Sequence, residues 1–146
     1  MSDVTQALQA ALNAARKAQN KDRTLVVGTV LSAVRARALD AASPLSHDDE
    51  LDVLRKQVKL RRDAALQYEQ ARRPDLAAVE LAQVAVIQEF LPPDVSPDEI
   101  RAAVRAAIAS GATDVGKVMA QVMPALKGRA EGKVINQVVR EELARP

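Results

Sequence analysis

From Val4 to Val139 the apolar residues of this chain recur every three or four positions, and no segment sustains the every-second-residue alternation of a half-buried strand. A chain patterned this way buries its side chains by laying helix against helix, so the expected fold class is all-α with no sheet. Almost half of the residues are apolar, yet Phe90 and Tyr68 are the only aromatics. The core must therefore come from close packing of Leu, Val and Ala. Cysteine is absent, which excludes disulfides, thiolate zinc sites and cysteine nucleophiles. No apolar run approaches the ~20 residues of a membrane span, and no signal-peptide pattern opens the chain. The expectation is a soluble cytoplasmic protein without a membrane partner.

Local signals divide the pattern into helices. A weak stripe, Val4, Leu8, Ala11, Leu12 and Ala15, predicts a helix over residues 3–19. A second, over about 22–40, turns Val27, Val30, Leu31 and Val34 inward, with Gly28 inside it at a cost of about 1 kcal/mol relative to Ala unless close packing compensates. Ser46 caps a third, whose first turn is acidic and whose inward residues are Leu51, Leu54, Val58 and Ala65. Pro74 fits the first position of a fourth, with Leu76, Val79, Val84, Ile87 and Leu91 inward. Pro92-Pro93 stops it. Then Val95-Ser96-Pro97-Asp98-Glu99-Ile100 reads as a staple, a hydroxyl cap, a first-turn proline and a capping box closed by Glu99. That helix passes Val104 and Ile108 and ends at Gly111. Thr113 or Asp114 caps the next one. The expected organisation is a helical N-terminal domain of about four helices, residues 1–92, and a small three-helix domain, residues 95–146.

The last two helices bracket a turn, Lys127 to Lys133, that holds three cations, one anion and two glycines. One helix presents Val115, Val118, Met119, Val122 and Met123; the other presents Val134, Ile135, Val138 and Val139. Pro124 bends or ends the first of them. Gly128 and Gly132 allow positive φ or close approach of a neighbour. Cations beside a helix N-terminus suit an anion, because unpaired N–H groups and the dipole favour negative charge there. A solvated inter-helix turn is the competing reading.

Basic charge is also segregated. Residues 55–73 hold Arg55, Lys56, Lys59, Arg61, Arg62, Arg72 and Arg73 against Asp63 and Glu69, whereas residues 41–54 and 74–100 hold no Lys or Arg. Arg55, Lys59 and Arg62 share one helix face and span roughly 10 Å, the reach of a few successive phosphates. A solvated face is again the alternative, although few acids stand at i±4 to compensate it.

No catalytic constellation emerges. His47, the single histidine, falls at a helix start and reads as a surface residue. One His without Cys does not make a transition-metal site. The phosphate-binding G-x-x-x-x-G-K-[ST], the nucleophile elbow G-x-S-x-G and the zinc motif H-E-x-x-H are all missing. Asp48, Asp49, Glu50 and Asp52 are explained by compensation of the helix dipole. Met119 and Met123 read as core. No catalytic residue, metal ligand or cofactor is expected.

Three stretches carry a resemblance: R-R-D-A-A-L-Q-Y-E-Q-A-R-R-P-D-L-A (Arg61 to Ala77), E-F-L-P (Glu89 to Pro92) and G-K-V-M…M-P-A-L-K-G-R-A-E-G-K-V-I-N-Q-V-V (Gly116 to Val139). Together they are similar to the GatB/YqeY family, over nearly the whole chain and at the length of its free-standing members. The resemblance implies a helical N-terminal domain followed by a three-helix domain. The latter is similar to the tail of the B subunit of aspartyl/glutamyl-tRNA amidotransferase, which contacts the body of the tRNA. It implies Lys117, Lys127, Gly128, Arg129, Gly132, Lys133 and Asn136 as the tRNA-facing set. In that enzyme the amidase chemistry belongs to another subunit, and kinase and transamidase chemistry to a catalytic domain this chain lacks. A carbon–nitrogen ligase label on this chain would be inherited. Two departures stand out: Arg72 replaces the family's glycine in A-G-R, so that turn should differ or be strained, and Gly28 stands where many relatives have an arginine.

The expected function is a non-catalytic module that binds tRNA or other structured RNA, alone or as an accessory to amidotransferase subunits. The alternative is a protein–protein adaptor docking an acidic partner. Participation in amidotransferase chemistry ranks last. Scarce aromatics disfavour single-strand recognition by base stacking.

Overall fold

The computed structural model describes residues 3–126, 129–130 and 132–145, and within them the chain forms seven helices and no strand. They are α1 (Asp3–Lys17), α2 (Lys21–Asp40), α3 (His47–Gln70), α4 (Pro74–Gln88), α5 (Pro97–Ala109), α6 (Val115–Leu126) and α7 (Gly132–Leu143). The chain divides into two units, Met1–Pro92 with α1 to α4 and Pro93–Pro146 with α5 to α7. No helix among the described residues is long and apolar enough to cross a membrane.

Side chains that the sequence places just before α2, α3, α5 and α6 satisfy the first free N–H groups of those helices, whereas α4 starts on Pro74 with no side-chain cap. Asn20 Oδ1 accepts from the Arg23 N–H at 3.1 Å, and Asp114 Oδ1 from the Lys117 N–H at 2.8 Å. Ser46 Oγ accepts from the Asp49 N–H at 3.0 Å while Asp49 returns a carboxylate oxygen to the Ser46 N–H at 3.2 Å, a complete capping box. At α5 the box is only half made. Ser96 Oγ accepts from the Glu99 N–H at 3.2 Å, but the Glu99 carboxylate lies 3.5 Å from the Ser96 hydroxyl instead of on its backbone N–H. Each such cap is worth about 1 kcal/mol.

Three helix ends share one closure. After α1, α3 and α5 a residue at positive φ turns the chain: Gln19 (58°), Arg72 (60°) and Gly111 (110°). In each case the next N–H reaches back five residues, Asn20 to the Ala15 carbonyl, Arg73 to Tyr68 and Ala112 to Ala107. This is the Schellman arrangement. Only the third uses glycine. The strain expected where Arg72 replaces glycine is therefore present, and the turn itself is kept.

In the first unit Leu8, Leu12, Val27, Val30, Leu31, Leu54, Val84 and Ile87 meet in one core, with Phe90 and Leu91 against it. Burying each large side chain contributes roughly 1.5–3 kcal/mol. Ala65 and Ala77 are buried on α3 and α4, which form a hairpin. Val79, expected inward, is 53% exposed. Apolar residues surround α4 on nearly every side, so periodicity could not choose its inner face. A Cβ at Gly28 would meet Leu12 Cδ1 at 3.7 Å, ordinary contact, so that glycine is not demanded by packing.

In the second unit Val95 and Ile100 join Val104, Val118, Val122, Leu126, Ile135, Val138 and Val139, with Met119 and Met123 packed against them. Ile108 is half-buried, and Val134 is 37% exposed at the first turn of α7. Pro124 does not end α6, which runs on to Leu126. Only the bond a residue-124 N–H would have made is lost, and two more residues do not need it.

Candidate nucleic-acid interface

The turn between α6 and α7 is where the tail-like motif gathers. Arg129 is fixed through its backbone: its N–H donates to the Leu126 carbonyl at 2.9 Å and its carbonyl accepts from the Val95 N–H at 2.7 Å. Its side chain is half-buried and has no ion pair among the described residues. Gly132 begins α7 and Lys133 follows, both exposed. The first turn of α7 contains no acid, unlike the first turns of α3 and α5, which hold three and two. Lys133 thus adds its charge to the positive end of the helix dipole, where a cation is unfavourable unless an anion is nearby. Lys127 and Gly128 lie outside the described residues.

The expectation for Gly132 is corrected. Its φ is not positive, and a Cβ there would meet nothing within 4 Å. Helix geometry at the start of α7 suits any residue, so neither turn conformation nor crowding calls for glycine. Asn136 lies one helical turn beyond; it is half-buried, and its Oδ1 accepts from Arg140 Nε at 2.7 Å. Lys117 does not join this group. It sits at the far end of α6, nine residues before Leu126 and so about 14 Å away along the helix. There its Nζ is 3.9 Å from Asp114 Oδ2.

The basic stripe of α3 is more compensated than the sequence suggested. Arg55 pairs with Asp52 at 2.8 Å and Lys59 with Asp63 at 2.9 Å, carboxylates three residues before and four residues after. Arg61 donates to the Gln57 carbonyl and side chain and to Gln83 Oε1, tying α3 to α4. Arg73 pairs with Asp75, holding that carboxyl below its ordinary range. Lys56 and Arg62 are exposed and have no ion pair among the described residues.

A cleft of about 300 Å³ opens beside this stripe, lined by Arg37, Asp49, Asp52, Val53, Arg55, Lys56 and Lys59. Arg37 comes from the last turn of α2, so reading α3 alone could not find it. The only sequence sign was a cation at a helix C-terminus, which the dipole already explains. Among the described residues no group of three or more His, Cys, Asp or Glu side chains could hold a metal ion, and His47 is an exposed first residue of α3.

In the second unit the strongest electrostatic feature is structural. Glu142, whose side chain is 4% exposed, accepts from Arg101 at 2.7 Å and Arg105 at 2.9 Å, with Arg145 at 3.7 Å. Hydrogen bonds from Arg105 and then Arg101 lower its carboxyl to about 2.

The profile of the Yqey-like protein family matches residues 5–143 of this chain. Over 144 residues the chain is 30% identical to "Altered inheritance of mitochondria protein 41, mitochondrial" of Pyrenophora tritici-repentis, covering 92% of this chain and 77% of that protein. It is 35% identical over 77 residues to an uncharacterised protein of Schizosaccharomyces pombe, covering 52% of this chain and 62% of that one.

Proposed function

The chain belongs to the YqeY-like protein family, and from that premise we propose that it is a non-catalytic tRNA-binding module. Family membership supports a domain like the amidotransferase B-subunit tail at residues 95–146. The observation that carries the proposal is the start of α7: Arg129 and Lys133 flank a helix N-terminus whose first turn has no acid, and Glu131, outside the described residues, is the single anion the sequence sets against the three cations of this turn. Phosphate is the chemistry that such an arrangement attracts. With Phe90 and Tyr68 as the only aromatics, a structured RNA read through its backbone fits better than a stacked single strand. Asn136 and Lys117 belong to the proposed surface as outlying members. Action in the cytoplasm, alone or beside amidotransferase subunits, is part of the same proposal, and no amidotransferase chemistry is assigned to the chain itself.

The test is tRNA affinity across a salt series. The triple change Lys127→Ala, Arg129→Ala and Lys133→Ala should make the slope of log K against log salt shallower by roughly two to three units, at about 0.7 to 0.9 per phosphate contact. Running Arg55→Ala, Lys59→Ala and Arg62→Ala beside it locates the surface. Weakening by this second set alone moves the RNA onto α3. An adaptor for an acidic protein partner is the second reading, favoured by exposed Leu60 and Leu66 beside the α3 cations. Affinity for tRNA that neither triple alters at ~0.1 M salt would leave that reading standing.

A further inference from the structure

We propose that the cleft beside α3 is a phosphate seat, in which Arg37, Arg55, Lys56 and Lys59 together hold one phosphate group. Four cations line it against two carboxylates. Both acids are already engaged: Asp52 accepts from Arg55, and Asp49 accepts from the Ser46 N–H. Arg37 and Lys56 have no ion pair among the described residues, and the Lys59–Asp63 pair is largely exposed, at 76% and 57%. Such a pair is weak, so the ammonium is free to turn toward a better anion. The space, about 300 Å³, equals roughly ten water molecules and admits a phosphate with part of its hydration.

Arg55 supplies the second, independent observation. Its Nη1 is spent on Asp52, while its Nε is buried and has no hydrogen-bond partner. A buried donor left unmade is destabilising, and protein interiors rarely keep one. The edge formed by Nε and Nη2 matches two phosphate oxygens side by side, the bidentate geometry that guanidinium offers and ammonium does not. A modest swing of the guanidinium, pivoting on the Asp52 bond, turns that edge to the cleft. There Lys56 and Arg37 add charge from α3 and α2. Arg62 does not line the cleft and plays no part in the seat.

This seat stands without the RNA reading. The phosphate could belong to an RNA backbone or to a small phosphorylated molecule, and the experiment separates the two. The full chain, ¹⁵N-labelled, is titrated with inorganic phosphate and then pyrophosphate at constant ionic strength in chloride, following arginine Nε–H resonances. The Arg55 resonance should move saturably. The double change Arg37→Ala and Lys56→Ala, both at exposed positions, should weaken the apparent affinity by about tenfold or more, the effect of losing charge-assisted bonds. Arg62→Ala should leave it unchanged. No saturable movement, or equal weakening by Arg62→Ala, overturns the seat whatever tRNA does. Given phosphate binding, weaker tRNA binding by the double variant assigns the phosphate to an RNA backbone. Unchanged tRNA binding assigns it to a small phosphorylated ligand, and either result upholds the seat.

Discussion

Arg72 holds a backbone conformation that costs an L-residue roughly 1–2 kcal/mol, because its Cβ crowds the following carbonyl. Its own N–H and that of Arg73 nevertheless close the end of α3 on the Glu69 and Tyr68 carbonyls, so the fold keeps the turn and carries the strain. Arg72→Gly should therefore raise stability in urea unfolding by about 1 kcal/mol, somewhat offset by the greater freedom of glycine in the unfolded chain. A loss of stability would show that the arginine side chain contributes more than its backbone costs. Gly132 presents the reverse case. With space around its missing Cβ and ordinary helical φ, Gly132→Ala should be neutral or stabilising by up to about 1 kcal/mol. If the same variant binds tRNA less well at undiminished stability, close approach of the ligand to the α7 backbone is the reason for the glycine. If tRNA binding is also unchanged, Gly132 has no part in the interface.

At the scale of elements, α5 and α7 are joined by the cluster of Glu142, Arg101, Arg105 and Glu141. The Glu142 carboxyl lies at about 2 in the folded chain against 4.5 ordinarily, with Arg105 and Arg101 as the main causes. A lowered carboxyl binds its proton less readily when folded, so it adds stability above the unfolded value. That contribution is lost as pH falls from about 4.5 toward 2. Glu142→Gln should lower the melting temperature at neutral pH, because the amide keeps one uncharged acceptor oxygen but turns a donor toward the arginines where the second carboxylate oxygen stood. Its deficit relative to the unaltered chain should shrink steadily through that acid window. A deficit independent of pH would mean that packing, not charge, is what the substitution disturbs. This cluster was not legible in the sequence, since its members stand 37 to 41 residues apart and each alone reads as a surface charge. Helix starts were legible, because Ser46, Ser96 and Asp114 act on N–H groups three residues away. The inner face of α4 was not, because an apolar residue at Val79 gives the same signal inside or out. The cleft beside α3 escaped for the same reason as the cluster: Arg37 reaches it from another helix.

At the scale of the molecule, the two cores share no residue: one gathers side chains from Val4 to Leu91, the other from Val95 to Leu143. All three helices of the second unit bury their stripes within it, and the segment before α5 is tied to the turn before α7 by the Val95–Arg129 bond. Among the described residues, every member of this second core lies after Pro93. We expect residues 93–146 alone to fold, giving a helical far-ultraviolet circular dichroism spectrum and a sigmoidal thermal melt. A unit this small buries a modest share of its surface, so the melt should be broad and its midpoint low, and it should fall further on acidification as Glu142 is protonated. Amide resonances of the fragment should overlay those of the full chain for residues 98 onward, where its own helices set the environment. A featureless spectrum, or resonances that shift throughout α5 to α7, would show that this core is completed by the rest of the chain.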